Sequence, residues 1–127
     1  LFFNNNKRTV KFHFDMMHGK GNLDKAIKLL EKKDRDDFDE FVNQEVSFNP
    51  HNMFICKSYE ILNAYYSSVF PWLEKCENIF GFNLKGYGHK RLYGFLAERY
   101  LSYWFRKNTK HAVLPILFKD ISELNYG

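Results

Sequence analysis

HKRLYGFLAERYLSYWFR, residues 89–106, is the stretch on which the fold of this chain turns. Wound as a helix at about 100° per residue, its Leu92, Tyr93, Leu96, Ala97, Tyr100, Leu101, Tyr103, Trp104 and Phe105 cover one arc of about 220°. The remaining arc holds Arg91, Glu98, Arg99, Ser102 and Arg106, with Phe95 intruding among them. A helix apolar over most of its circumference is normally buried, so this one is expected to be the hub on which the other elements pack. Its polar stripe reads in two ways. It is an ordinary solvated face, or it is the charged wall of a cleft, with Glu98 and Arg99 meeting a ligand where core gives way to solvent. Periodicity does not choose between them.

Upstream, residues 8–15 (RTVKFHFD) alternate, with Val10, Phe12 and Phe14 on one side and Thr9, Lys11, His13 and Asp15 on the other, which predicts a strand. A glycine-punctuated loop follows and ends at Asn22, a predicted N-cap. Residues 23–33 predict an amphipathic helix with Leu23, Ala26, Ile27 and Leu30 on its apolar side. Asp34 is expected to cap a second helix over residues 35–45, with Phe38, Phe41 and Val42 as its stripe. Residues 51–57 (HNMFICK) read as a short buried strand, after which Ser58 caps a helix over residues 59–69. Pro71 predicts a kink or a fresh helical start, with a stop at Gly81. Residues 112–118 (AVLPILF) look strand-like, limited by Pro115 to an edge or a short strand. The fold class this predicts is α+β by content, helix-rich with a few short strands.

Composition sets outer bounds. The chain has 127 residues, enough for one domain with a real core, and 14 Phe, 8 Tyr and 2 Trp supply the buried area. Cys56 and Cys76 fit no disulfide framework or metal spacing and read as reduced, which suits a cytoplasmic setting. No apolar run of about 18 residues is present to span a membrane. The net charge of +4 comes from Lys and Arg scattered among acids, a generic basic surface and not a nucleic-acid stripe. A start at Leu1 and an end in a polar tail suggest a piece of a longer protein.

Three short motifs carry chemistry. His13, Asp15 and His18 form HxDxxH, which resembles a metal-ligand spacing but reads better as polar groups in a cleft or on plain surface. GKG at residues 19–21 precedes a helix but lacks the spacing of a phosphate-binding loop. The DxD patterns at Asp34–Asp36 and Asp37–Asp39 lie at a helix start, where their carboxylates diverge, so capping and solvation explain them. No protein metal site is assigned.

Residues 49–58 (NPHNMFICKS), residues 94–105 (GFLAERYLSYWF) and residues 12–27 (FHFDMMHGKGNLDKAI) together resemble a bacterial family of glycosyltransferases from capsule, exopolysaccharide and lipopolysaccharide gene clusters. That family carries an NMFI-type strand, here Asn52–Ile55, after a two-helix segment, then a GFLAER-type helix, here Gly94–Arg99. The resemblance covers only the C-terminal, acceptor-side half; the family's HYRR-like segment is not in these residues. It implies the C-terminal part of an α/β nucleotide-diphospho-sugar transferase fold (GT-A-like), with residues 51–57 in a central sheet and Glu98 and Arg99 facing the cleft. It implies transfer of a sugar from a nucleotide-sugar donor to a glycan or lipid-linked acceptor, at the cytoplasmic face of the inner membrane, with no nucleic acid involved. No cofactor is expected within this segment; the longer enzyme has room for a divalent cation, Mg or Mn.

Such a transfer needs a group to position or deprotonate the acceptor hydroxyl and positive charge on the departing diphosphate. Glu98 is the candidate for the first task, and Arg99 and Arg91 are the candidates for contact with the departing anion, Glu98 and Arg99 being the catalytic pair. Asp15, His18, His51 and Asn52 join Arg91 as candidate substrate-binding residues. A buried Glu98–Arg salt bridge that fixes the hub helix is the competing structural reading. A reading of another class is a non-catalytic helical interaction module with a basic surface, recruited to an enzyme complex or an anionic membrane face. A cleft with converging polar groups favours the enzyme; a flat exposed aromatic patch favours the module.

Overall fold

The computed structural model describes residues 7–115, and these are helical or irregular throughout. Six helices follow one another: α1 Val10–His18, α2 Asn22–Ile27, α3 Lys32–Gln44, α4 Tyr59–Phe80, α5 Tyr87–Lys90 and α6 Leu92–Asn108. No strand occurs among the described residues, so the α+β expectation, and with it the central sheet of a GT-A-like fold, is overturned. None of the described helices is long and apolar enough to cross a membrane.

The expected strand at residues 8–15 is α1, and the reason is visible in which side chains it buries. Val10, Phe14 and His18 are buried at a spacing of four, while Phe12, which a strand would turn inward beside them, is 49% exposed. Thr9 sets the start: its backbone is extended and its hydroxyl accepts from the Phe12 N–H at 3.1 Å. Asn22 does not cap α2. Its amide donates to the His18 carbonyl at 2.9 Å and so satisfies the end of α1 instead.

The second expected strand, residues 51–57, is irregular. His51 and Asn52 have positive φ (73° and 51°), a left-handed pair that interrupts extended backbone just after Pro50. Beyond them the segment does alternate, with Phe54 and Cys56 turned inward and Met53 and Ile55 exposed, but no neighbouring strand pairs with it. Of the expected strand at residues 112–118, residues 112–115 form none and the rest lies outside the described residues. The predicted helix at 23–33 ends early at Ile27, and α3 begins at Lys32, so Asp34 lies in its first turn and is not its cap. α4 runs unbroken through Pro71, which is on its exposed side.

α6 is the hub that its aromatic arc announces. It buries Leu92, Leu96, Arg99, Tyr100, Leu101, Ser102, Tyr103 and Trp104, and packs on α4, α3 and α1. Phe38 of α3 meets Trp72 of α4 and Tyr100 of α6 edge to face, at 5.9 and 5.6 Å. The Trp72 indole N–H donates to the Ala26 carbonyl at 2.7 Å, so the ring's polar edge is satisfied inside the core and ties α4 to α2. At the rim, Lys107 of α6 pairs with Asp34 and Asp37 of α3, at 3.1 and 2.6 Å. Two of the DxD carboxylates therefore latch two helices.

Candidate functional site

Arg99 is the residue around which the site is built. It is 1% exposed, because α1 and the loop at residues 48–50 cover the face of α6 that periodicity leaves open to solvent. A buried guanidinium is tolerated only where its N–H groups find acceptors. Arg99 Nη1 donates to the Phe95 carbonyl at 3.1 Å and to Glu98 Oε2 at 3.4 Å. Nη2 faces His13 Nδ1 at 3.1 Å and His18 Nε2 at 3.5 Å. Nε has no partner among the described residues. Aromatic faces close the rest: the guanidinium carbon lies 4.3 Å from the Phe48 ring centre and 5.2 Å from that of Phe14.

Both histidines are held neutral. Burial and then the Arg99 charge push His18 down to about 4, and the Gly88 carbonyl opposes this only in part. The same two causes lower His13, opposed by Glu98. The hydrogen bonds assign the tautomers: His18 Nδ1–H donates to the Gly88 carbonyl at 3.2 Å, leaving Nε2 to accept from Arg99. His13 accepts through Nδ1 and so carries its proton on Nε2. Arg99, lowered by burial to about 10 and supported by Glu98, stays charged at neutral pH.

The His18 ring also stacks on Phe95, with centroids 3.8 Å apart and planes 18° apart. Its bond to Gly88 fixes α5 against the end of α1, and only glycine fits there. A Cβ on residue 88 would collide with the Met17 carbonyl oxygen. Between α1, α5, α6 and residues 48–50 a cleft of about 320 Å³ remains, lined by His13, Met17, His18, Phe48, Pro50, Tyr87, Gly88, Phe95, Glu98 and Arg99. A second cavity of about 430 Å³ lies on the other side of residues 49–55, against Leu101, Phe105 and residues 111–115, and is mainly apolar.

Of the residues singled out in the sequence, Glu98, Arg99 and His18 meet in the first cleft. Arg91 sits at its rim, donating to the Tyr87 hydroxyl at 2.6 Å and lying 5.6 Å from the Phe95 ring centre. Asp15, His51 and Asn52 do not line it. The Asp15 carboxylate accepts from the Gly21 N–H at 3.3 Å and shapes the α1–α2 turn. Asn52 donates to the Gly94 carbonyl at 3.1 Å and anchors the loop to α6, while His51 is exposed. His13, Phe48, Tyr87 and Phe95 belong to the cleft without having been singled out as substrate contacts. Phe95 did carry a signal, as the one apolar residue inside the polar arc of α6.

The metal-like HxDxxH spacing has a different use: Arg99 lies between the two histidines, and Asp15 serves the turn. No group of three or more His, Cys, Asp or Glu side chains that could hold a metal ion occurs among the described residues.

Residues 3–109 match the family described as Domain of unknown function (DUF4422), and the chain belongs to that family. No curated protein and no solved structure matches the chain.

Proposed function

We propose that these residues form the acceptor-side part of a glycosyltransferase that moves a sugar from a nucleotide-sugar donor onto a growing surface polysaccharide. The observation that carries the reading is the Arg99 cleft itself, a small and mainly apolar cavity whose lining includes Glu98, His13 and the rings of Phe48, Tyr87 and Phe95. Sugars present hydroxyls at their edges and C–H groups on their faces; the aromatic rings of this lining suit the faces, and Glu98 and His13 are the polar residues beside them.

In this reading Glu98 positions the acceptor hydroxyl and takes its proton as the new glycosidic bond forms. Arg99 holds the Glu98 carboxylate from the buried side, and the His13–His18 pair holds Arg99. Arg91, at the rim, offers positive charge where a departing diphosphate would pass. On this reading the donor site lies outside the described residues. Such a transfer belongs at the cytoplasmic face of the inner membrane, with a glycan or lipid-linked acceptor.

The test is donor consumption. The full-length protein, given uridine-, guanosine- and thymidine-diphosphate sugars with polysaccharide acceptors, should release nucleoside diphosphate from one of them in an acceptor-dependent way. No release from any donor would overturn the reading. The second reading, a helical interaction module, is favoured by Tyr66 and Phe70, which are exposed on α4 with ring centroids 5.3 Å apart. Tyr59, also exposed on α4, extends that face, while the Arg99 cleft favours the enzyme reading.

A further inference from the structure

We propose that Tyr87 is the stacking platform of the Arg99 cleft and receives the C–H face of a single pyranose ring, whose hydroxyls turn toward Glu98 and His13. The inference deepens the sugar-transfer reading and rests on it.

Tyr87 is 69% exposed, the kind of position at which a side chain usually keeps its rotamer freedom. Here three contacts hold it. The phenol oxygen accepts from Arg91 Nη1 at 2.6 Å. The ring meets Phe95 edge to face, with centroids 6.0 Å apart. The next residue, Gly88, is bound through its carbonyl to His18 at 3.2 Å and is pressed against the Met17 carbonyl. An exposed aromatic ring held at its hydroxyl and backbone, against Phe95 and with the Arg91 guanidinium carbon 5.4 Å from its centre, is preorganised, which lowers the entropy lost when a ligand settles on it.

The ligand class follows from size and from the partners around the ring. A volume of about 320 Å³ stands at the lower end of the roughly 300–1,000 Å³ spanned by small-molecule sites, which suits one sugar ring and not a whole nucleotide sugar. Glu98 accepts hydrogen bonds from hydroxyls. His13, with Nδ1 committed to Arg99, keeps its Nε2–H to donate. Tyr87 supplies the flat apolar surface that the C–H face of such a ring requires.

The experiment is saturation-transfer NMR on the full-length protein with methyl glycosides of glucose, galactose, mannose and N-acetylglucosamine. At least one glycoside should bind, with strongest transfer to the C–H protons of one ring face. Tyr87→Ala should weaken it about ten-fold, and Tyr87→Phe, which keeps the flat face and loses only the Arg91 contact, should weaken it clearly less than Tyr87→Ala does. Unchanged binding in Tyr87→Ala would overturn the platform and leave the sugar-transfer reading standing. Consumption of a nucleotide sugar by a protein that binds none of the glycosides would do the same. Glycoside binding that depends on Tyr87, in a protein that consumes no donor, would keep the platform and overturn the transfer reading.

Discussion

Arg99 Nη2 lies 3.1 Å from His13 Nδ1, although 86 positions separate the two residues in the chain. The contact joins α1 to α6, and it works because the imidazole is neutral. A protonated His13 would face the guanidinium as a like charge and would lose the lone pair that Arg99 uses. The same pair that closes α1 onto α6 also shapes the floor of the cleft. Fold and site share a single buried cation.

The helical reading of α1 can be tested by two phenylalanines that a strand would place side by side. Phe14 is fully buried and Phe12 is 49% exposed. Phe14→Ala should destabilise the protein by about 3–5 kcal/mol and Phe12→Ala by less than about 1.5 kcal/mol, measured by urea unfolding. Equal losses at the two positions would restore the strand.

His18 makes stability depend on pH, with a definite sign. Its pKa of about 4 in the folded protein is below the ordinary histidine value of 6.5. Above pH 6.5 both folded and unfolded states hold it neutral, and the full stability is present. Between 6.5 and about 4 the unfolded chain takes up a proton that the native state refuses, so stability falls by roughly 2–3 kcal/mol, and His13 adds to it in the same direction. NMR titration of the His18 ring should show its midpoint near 4. A midpoint near 6.5 would mean that the ring is not buried against Arg99.

Arg99→Lys tests whether the guanidinium fork is needed. An ammonium cannot reach the Phe95 carbonyl, Glu98 and both imidazoles together, and it loses the flat contact with Phe48. The expected loss is about 2–4 kcal/mol in denaturant unfolding. A change within about 0.5 kcal/mol would show that the cluster is held by the helices and not by Arg99.

What was legible in the sequence divides along a physical line. The hub helix was legible because nine aromatic and aliphatic residues on one arc admit no other period. Ser58 was legible as a cap, and its hydroxyl accepts from the Ile61 N–H at 3.2 Å. α1 is ambiguous in the sequence because Val10, Phe12 and Phe14 fit a period of two as well as Val10, Phe14 and His18 fit a helix; Thr9 as an N-cap is the deciding signal. Residues 51–57 are not legible as irregular because a strand needs a partner, and extended backbone with alternating side chains does not reveal whether one exists. In the site, Glu98 and Arg99 stood out as charges on an apolar helix. The pairing of Arg99 with His13 and His18 did not, since it depends on how distant helices meet. Tyr87 gave no periodic signal at all, coming from a four-residue helix after a glycine-rich loop.

The central claim is that the Arg99 cleft is where transfer occurs, and Glu98→Gln in the full-length protein tests it most directly. Glutamine keeps the shape of the side chain but can neither take a proton nor pair with Arg99 as an anion. Turnover with the consumed nucleotide sugar and the urea midpoint should be measured on the same preparation. The account predicts that turnover falls about 100-fold or more while the protein still folds with a cooperative transition. Undiminished turnover in a folded Glu98→Gln protein would contradict it and remove Glu98 from the reaction.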